Sequence, residues 1–239
     1  MSVRASRAPA PPRMAAAGPM RPVTKVSTKE LLIETGERLF AQHGFDGISL
    51  REIAAMAGQG NCNAVQYHFG DKRGFISAIL DDRVSRVDVL RRERFDSLEG
   101  TRNAEDPREL LKIIWLPDLT LIGADGSHTH CRFQLQYLLQ RDVGEHPFFK
   151  IEPHTRKSTV TRRGNRSCLL AVNALLRRHY MNLTPKTFNR RLTTLSMMFL
   201  TSVVEHDNAR VLGKGNSHSE YDARLVLDMS MGALSAAES

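Results

Sequence analysis

The sequence predicts an all-α protein, and three observations carry this prediction. Apolar residues recur at spacings of three and four along the chain, which is the period of a helix that buries one face. No run of 4–8 residues shows the alternating pattern of a half-buried strand. Two serines, Ser27 and Ser49, stand three residues before a glutamate, which is the spacing of a helix capping box.

Residues 1–24 are predicted to form a disordered basic arm. Residues 1–26 are rich in Ala, Pro and Arg and contain no Asp or Glu, so they cannot bury a core. The arm's positive charge, continued by Lys25, suits contact with phosphate groups. The alternatives are a solvated tail and a mis-assigned start codon, with Met14 or Met20 as the true start.

Residues 25–84 are predicted to form a small helical domain that contains a helix-turn-helix over residues 49–69. A first helix begins after Ser27 and ends at Gly44. A second, short helix begins at Ser49 and stops where Gly58 and Gly60 bracket Gln59, since two glycines so close allow positive φ in a turn. The next helix carries residues 65–69.

Polar residues mark the start of the two helices that follow the turn. Asn61 or Asn63 can cap the short helix over residues 65–69, and the sequence leaves both possibilities open. Asp71 is predicted to be the N-cap of a long helix that runs to about Leu98. A short helix, a glycine-bearing turn and a second short helix with polar residues at its start is the layout of a DNA-binding helix-turn-helix.

The stretch from about Ser27 to Leu80 resembles the DNA-binding domain of the TetR-type (tetracycline-repressor-like) transcriptional regulators. That family carries Leu-Phe, then Gly, then S/T-x-x-x-I-A-x-x-A-G, then an apolar-Tyr-x-His-Phe run followed by Lys. The matching elements here are Leu39-Phe40, Gly44, Ser49, Ile53-Ala54, Ala57-Gly58, Val65, Tyr67-His68-Phe69 and Lys72. Two departures stand out: Gln66 replaces the usual Tyr, and the turn Gln59–Asn63 is one residue longer than usual.

The resemblance and the residue types together predict a DNA-contacting surface. Asn and Gln amides pair with adenine edges, whereas Lys, Tyr and His side chains suit phosphate oxygens. The candidate DNA-binding residues are Lys25, Ser49, Asn61, Asn63, Gln66, Tyr67, His68 and Lys72. The alternative is the ordinary polar surface of a helical protein.

Residues 85–239 are predicted to form a larger helical domain. The resemblance implies that its last two long helices, about residues 185–212 and 221–237, form a homodimer, and that a small-molecule effector binds among its central helices. The candidate dimer residues are Leu192, Leu195, Phe199, Val203, Leu225 and Met229. The candidate residues of the effector pocket are Trp115, Phe133, Tyr137 and Cys168.

Net charge, cysteine spacing and the lengths of apolar runs indicate the kind of partner and the compartment. The net charge of +8 and the pI of about 9.7 favour an anionic partner. The three cysteines, Cys62, Cys131 and Cys168, have no C-x-x-C spacing, which fits a reducing cytosol and predicts a cytoplasmic protein. No apolar run approaches the ~20 residues of a membrane span, and no secretory signal pattern is present, so no membrane partner is expected.

No motif for hydrolase, kinase, metalloprotease or nucleotide-binding chemistry occurs in the sequence, so we predict neither an enzyme nor a cofactor. His128, His130 and Cys131 are metal-ligand types at close spacing, but the spacing matches no known metal motif, and a loop that leads into a helix explains it equally well. We therefore predict no metal site.

The prediction is a sequence-specific DNA-binding regulator, a ligand-responsive repressor that binds a palindromic operator as a homodimer. The alternatives are an activator of the same fold and a helical scaffold without catalytic activity. A scaffold would bind DNA only weakly, with strong salt dependence and no sequence preference.

Overall fold

The structure is a computed structural model that describes residues 27–123, 125–140, 167–213 and 219–236. Within these ranges it contains nine α-helices, one 3₁₀ helix and no strand, which confirms the all-α prediction. The α-helices are α1 Thr28–His43, α2 Leu50–Met56, α3 Ala64–Phe69, α4 Lys72–Leu98, α5 Pro107–Trp115, α6 Thr129–Leu139, α7 Cys168–Arg178, α8 Pro185–Val211 and α9 Ser219–Ser235, and the 3₁₀ helix is Leu116–Thr120. The predicted arm of residues 1–24 and the DNA candidate Lys25 lie outside the described residues.

The two predicted capping boxes are present. The backbone N–H of Glu30 donates to Ser27 Oγ at 3.2 Å, and Ser27 N–H donates back to Glu30 Oε2 at 2.9 Å. At α2, Glu52 N–H donates to Ser49 Oγ at 3.3 Å and Ser49 N–H to Glu52 Oε2 at 2.8 Å. Each box satisfies N–H groups that would otherwise lack partners at a helix start, so both helices begin where the sequence predicts.

The first hydrophobic core joins α1–α4 and includes two aromatic residues of α6. The rings of Phe40 and Phe45 lie 5.0 Å apart, and Phe133 of α6 lies 5.4 Å from Phe45. Gly36 allows α1 to meet α4, because a Cβ at this position would lie 2.3 Å from an atom of the Phe75 ring. The helix-turn-helix is therefore anchored to α6 as well as to its own helices.

The second core lies among the C-terminal half of α4, α5 and α7–α9. Trp115 stacks on Phe199 of α8 with ring centroids 5.5 Å apart, and Phe199 is 1% exposed. The two cores separate along α4 between Leu80 and Val84, although the helix itself is continuous.

Four of the proposed dimer residues are buried in the protomer's own core. Each is less than a tenth exposed, and Phe199 stacks on Trp115 of α5. These residues are Leu192, Leu195, Phe199 and Val203. Leu225 and Met229 of α9, by contrast, are 47% and 52% exposed.

None of the described helices combines the length and the apolar character that crossing a membrane requires.

Candidate nucleic-acid interface and interior cavity

The turn between α2 and α3 is built from a glycine and two backbone contacts. Ala57 is the C-cap of α2, and Gly58 follows in the left-handed region with φ of 67°. The N–H of Gln59 donates to the Ala54 carbonyl at 3.0 Å, and its side-chain amide donates to the Ala57 carbonyl at 3.1 Å. Gln59 therefore closes the end of α2 in the position where the sequence predicts only a break.

The two asparagines at the start of α3 have different surroundings. Asn61 Oδ1 accepts the backbone N–H of Asn63 at 2.9 Å, so the Asn61 side chain stabilises the turn. Asn63 occupies the N-cap position of α3, but its side chain makes no capping hydrogen bond. The choice that the sequence left open is thus resolved locally: neither amide caps α3, and Asn61 holds the backbone before it.

Helix α3 buries two small apolar residues and exposes polar side chains to solvent. Ala64 and Val65 are 7% and 0% exposed in the first core. Gln66, Tyr67 and His68 are exposed, with Tyr67 82% accessible and its ring 5.1 Å from that of His68 in an edge-to-face arrangement. A rigid short helix therefore presents an amide, a phenol and an imidazole to solvent.

Lys72 has an internal contact that the sequence did not indicate. Its Nζ donates to the carbonyl of Ile48 at 3.1 Å and lies 5.8 Å from the centroid of the Phe40 ring. Lys72 thereby holds the segment that leads into α2. Ser49, another DNA candidate, is likewise engaged locally, because its hydroxyl serves the α2 capping box.

Exposed cations flank α3 at positions that were not among the DNA candidates. Arg51 lies in the first turn of α2 and Arg73 in the first turn of α4, and both are exposed. Lys29 of α1 places its Nζ 5.7 Å from the Phe69 ring centroid, beside the end of α3. Each sits one or two residues inside a helix whose cap the sequence already marks, and that position is the signal that could have identified them.

A buried network of charged and polar side chains connects the helix-turn-helix domain to the larger domain. Glu37 of α1 is 5% exposed and accepts from Arg83 of α4, with Arg83 Nη2 2.6 Å from Glu37 Oε2. His130 of α6 lies with Nδ1 2.9 Å from Glu37 Oε1. Gln134, one turn further along α6, contacts the other ring nitrogen of His130 at 2.5 Å.

The protonation of Glu37 follows from these contacts. Burial alone would raise the pKa of its carboxyl, but hydrogen bonds from His130 and Arg83, together with their charges, lower the pKa below the ordinary 4.5. Glu37 is therefore a carboxylate at neutral pH, and both of its oxygens are used.

A second buried ion pair lies on the other side of this network. Arg91 of α4 donates through Nη2 to both carboxylate oxygens of Asp118 at 3.0 Å and to the Ile114 carbonyl at 3.1 Å. Asp118 Oδ1 lies 4.0 Å from His130 Nε2. The two ion pairs thus approach each other across the ring of His130.

Arg91, Asp118 and Gln134 also line an interior cavity of about 60 Å³. Apolar walls come from α4, α5, α7 and α8 and include Trp115 and Phe199. A space of this volume is large enough for a few water molecules, and its wall combines charged and apolar side chains.

The cavity contains only one of the four predicted pocket residues. Trp115 lines it, whereas Phe133 and Tyr137 pack with Phe45 in the first core and do not line this cavity. Cys168 is buried in the second core at the start of α7, where its N–H donates to Asp88 at 2.7 Å. Apolar spacing identifies a buried face but does not reveal which of two cores the face joins.

The histidines near residue 130 have separate partners. His128 contacts Asp207 of α8, with Nδ1 2.9 Å from Oδ1, whereas His130 contacts Glu37 of α1. No cluster of three or more His, Cys, Asp or Glu side chains suited to a metal occurs in the part of the chain that the structure describes. Burial raises the pKa of the Cys131 thiol well above its usual value, so this thiol is not reactive.

The helix-turn-helix segment is similar in sequence to known bacterial regulators. Residues 32–79 match the model described as "Bacterial regulatory proteins, tetR family". The chain is 41% identical over 58 residues to "Probable HTH-type transcriptional regulator YttP" of Bacillus subtilis (strain 168), a match that covers 24% of this chain and 28% of that protein. It is 29% identical over 62 residues to "HTH-type transcriptional repressor AcnR" of Corynebacterium efficiens, covering 26% and 32% of the two chains.

A likeness in fold extends further than the likeness in sequence. A crystal structure from Shewanella sp. PV-4, of a protein assigned to the tetR family of transcription regulators, superposes with a TM-score of 0.55. It covers 87% of this chain and 97% of that chain at 15% sequence identity, so it supports the fold alone. The sequence matches themselves span less than a third of the length of each curated relative.

Proposed function

We propose that residues 32–79, which match the tetR family model, form a DNA-binding domain, and that the whole protein is a sequence-specific transcriptional repressor. The observation that carries the proposal is the exposure of Gln66, Tyr67 and His68 on helix α3. The same helix buries Ala64 and Val65 in the first core. Such a helix fits a major groove, which admits one helix and displays a distinct donor and acceptor pattern for each base pair. The excess positive charge of the chain favours the phosphate backbone.

Two copies of the helix are needed for a palindromic operator, and α9 supplies a surface for pairing. Leu225 and Met229 are exposed and four residues apart, so they share one helix face, and Gly232, the next residue along that face, has open space around its Cα. We propose that this face, with the adjoining part of α8, forms an isologous dimer interface. The dimer would set the distance between the two α3 helices and hence the spacing of the half-sites.

A protein that occupies its operator can repress transcription. The Corynebacterium relative is named a repressor, and this favours repression over activation. An activator of the same fold remains the alternative. Ligand response is proposed from the cavity, because Gln134 in its wall contacts His130, which contacts Glu37 on α1. A ligand that prefers one arrangement of these contacts would shift the position of α1 and so change operator affinity.

Base reading is assigned to Asn63 and Gln66, and positioning on phosphate to Tyr67 and Lys72. An amide carries the paired donor and acceptor that reads adenine, worth about 1–3 kcal/mol of discrimination, whereas a phenol or ammonium does not. Gln66→Ala and Asn63→Ala are therefore expected to erase preference at particular base pairs. Lys72→Ala should weaken binding to all operators alike, and should also lower stability through the lost contact with Ile48.

The affinity of each variant for a library of single-base operator changes shows which residues read bases and which position the protein on phosphate. Tyr67→Phe is the matched control, because it keeps the ring and removes only the hydroxyl, and should weaken binding without changing the preferred sequence. If Lys72→Ala alters the preferred sequence while Asn63→Ala and Gln66→Ala leave it intact, the assignment is wrong. Asn61→Ala should instead loosen the turn, since its side chain holds the Asn63 N–H.

A further inference from the structure

We propose that His130 makes operator affinity depend on pH between about 6 and 8, because it joins α6 to α1 of the helix-turn-helix domain through contacts that suit only a neutral ring. This inference rests on the proposed function and adds an input that is separate from any ligand. Histidine is the side chain that ordinarily gains or loses its charge in this range. The basis is the hydrogen-bonding character of the two groups on either side of the ring.

The ring of His130 lies between an acceptor and a donor. Its Nδ1 is 2.9 Å from Glu37 Oε1, and its Nε2 is 2.5 Å from Gln134 Nε2. Glu37 is a carboxylate at neutral pH and can only accept, so the ring carries its proton on Nδ1. An amide nitrogen can only donate, so Nε2 accepts and carries no proton. The two neighbours therefore select one neutral tautomer.

A second proton on the ring would bring two donors together. The new N–H on Nε2 would point at the NH₂ group of Gln134. Asp118 Oδ1 lies 4.0 Å from Nε2, beyond hydrogen-bond distance, and already accepts from Arg91. The amide of Gln134 must therefore turn its oxygen toward the ring before the second proton is stably held. Gln134 is 8% exposed, so this turn rearranges packed side chains.

The charges around the ring balance only when the ring is neutral. Glu37 pairs with Arg83 and Asp118 pairs with Arg91, and these four residues, like His130, are less than a tenth exposed. A protonated His130 leaves one excess positive charge in this buried network, where salt and water screen it little. Because the network joins α1 to α4 and α6, the added charge changes the free energy with which the helix-turn-helix domain is held to the rest of the chain.

The other charged groups near the ring are paired or exposed. From α8, Asp207 contacts His128, with the carboxylate oxygen 2.9 Å from Nδ1. Beside the ring, burial raises the pKa of the Cys131 thiol well above its usual value, so this group stays uncharged. A groove of about 510 Å³ is lined by Glu37, Arg83 and His130 and by three exposed charged residues, Glu34, Arg38 and Arg86. A groove of this size holds water, so protons reach the network from solvent.

Nitrogen-15 NMR of the histidine rings tests the contact itself, without DNA. At about pH 8 the ring with cross-peaks to the Gln134 side chain should be the tautomer that carries its proton on Nδ1. A proton on Nε2 instead, or protons on both nitrogens at this pH, overturns the proposal.

Gel shift on the DNA site that the protein selects from a random library measures the effect on affinity. His130→Asn replaces Nδ1 by an amide nitrogen that still donates to Glu37 but does not titrate, so its affinity at about pH 8 should stay within about twofold of the unaltered protein. The ratio of affinities at about pH 8 and about pH 6 should then differ at least about fivefold between the two proteins, the low end of coupling between two sites. Exposed His68 on α3 contributes equally to both ratios.

The matched control is His179→Asn, because His179 is exposed at the end of α7. This variant should keep the pH dependence of the unaltered protein within about twofold, as surface substitutions usually do. A pH dependence that falls as much in His179→Asn as in His130→Asn overturns the assignment to His130.

Gln134→Leu removes the donor that faces Nε2 and leaves His130 in place. The pH dependence of operator affinity should move to higher pH by roughly half a unit or more, since a hydrogen bond made only to the neutral ring is lost. A pH dependence that stays in place or moves to lower pH overturns the proposal. Far-UV circular dichroism checks the fold of the variants, and Gln134→Leu carries the affinity test if His130→Asn does not fold.

Equal pH dependence in the unaltered protein and His130→Asn overturns the pH response. Sequence-specific DNA binding with equal pH dependence leaves the proposed function standing. A lack of sequence-specific binding in the unaltered protein removes the proposed function and with it the pH response, whereas the ring tautomer still shows whether His130 makes the contacts described.

Discussion

Replacing Glu37 by glutamine is expected to lower the free energy of unfolding by about 3–5 kcal/mol, the usual cost of breaking a buried ion pair from one side. The carboxylate accepts from Arg83 and contacts His130, and all three residues are less than a tenth exposed. Glutamine keeps the size but removes the charge, so the Arg83 guanidinium stays buried without its counter-ion. The contact also joins α1 to α4 and α6, so both domains lose an anchor.

Urea denaturation followed by circular dichroism measures this loss, and Glu34→Gln is the matched control. Glu34 lies one turn earlier on α1 and is exposed, so its replacement should change the free energy of unfolding by less than about 0.5 kcal/mol. Equal effects of the two variants would show that the network adds nothing to stability.

The same carboxylate gives the stability a defined dependence on pH. A carboxyl whose pKa is lower in the folded chain than in the unfolded chain stabilises the fold above its unfolded value, and that contribution is lost as the pH falls through the folded value. The pKa of Glu37 is lowered below 4.5, so unfolding free energy should fall as the pH drops from about 4.5 downward. In Glu37→Gln this part of the slope should disappear, while a slope identical to that of the unaltered protein would contradict the assignment.

Placing a charge at Met229 is expected to convert the proposed dimer to monomers and weaken operator binding at least about 100-fold. Met229 is 52% exposed on α9, so aspartate there is tolerated by the protomer but not by an apolar contact between two copies. Two linked recognition helices bind with an avidity of about 10²–10⁴ over one, and a monomer loses that gain.

Sedimentation at micromolar concentration and gel shift on the same sample measure the two effects together. Val89→Asp is the matched control, since Val89 is 59% exposed on α4, away from α9 in the chain, and its replacement should leave both the dimer and DNA binding intact. A Met229→Asp protein that sediments as a dimer and binds its operator fully would remove α9 from the interface. Phe199→Asp is not suited to this test, because Phe199 stacks on Trp115 and its replacement should unfold the protomer.

The sequence predicts most helix starts correctly because caps are local. Ser27, Ser49 and Asp71 each satisfy an N–H within three residues, so their patterns are complete in the sequence itself. The Gly58 turn and the exposed face of α3 follow for the same reason. The all-α fold needed only these local signals and the helical period.

The partners of buried side chains could not be predicted. The helical period of apolar residues shows that a helix face is buried, but it does not show which other element packs on that face. Phe133 and Tyr137 carry the same spacing as pocket residues yet pack on Phe45, about ninety residues away in the chain. Phe199 fits a dimer face in sequence and a protomer core in structure. The Lys72–Ile48 contact joins residues 24 positions apart, and the Glu37–His130 contact joins residues 93 positions apart. No local sequence pattern marks such pairs.

Selection of bound sequences from a random double-stranded DNA library, followed by gel shift on the enriched site between 50 and 200 mM salt, tests the central claim most directly. A dimer with two α3 helices should enrich a two-fold symmetric sequence and hold it about 10³-fold more tightly than unrelated DNA. Affinity should fall with salt for both kinds of DNA while the preference remains. Recovery of no common sequence, with weak binding that salt removes equally from every DNA, would contradict the assignment of this chain as a sequence-specific regulator.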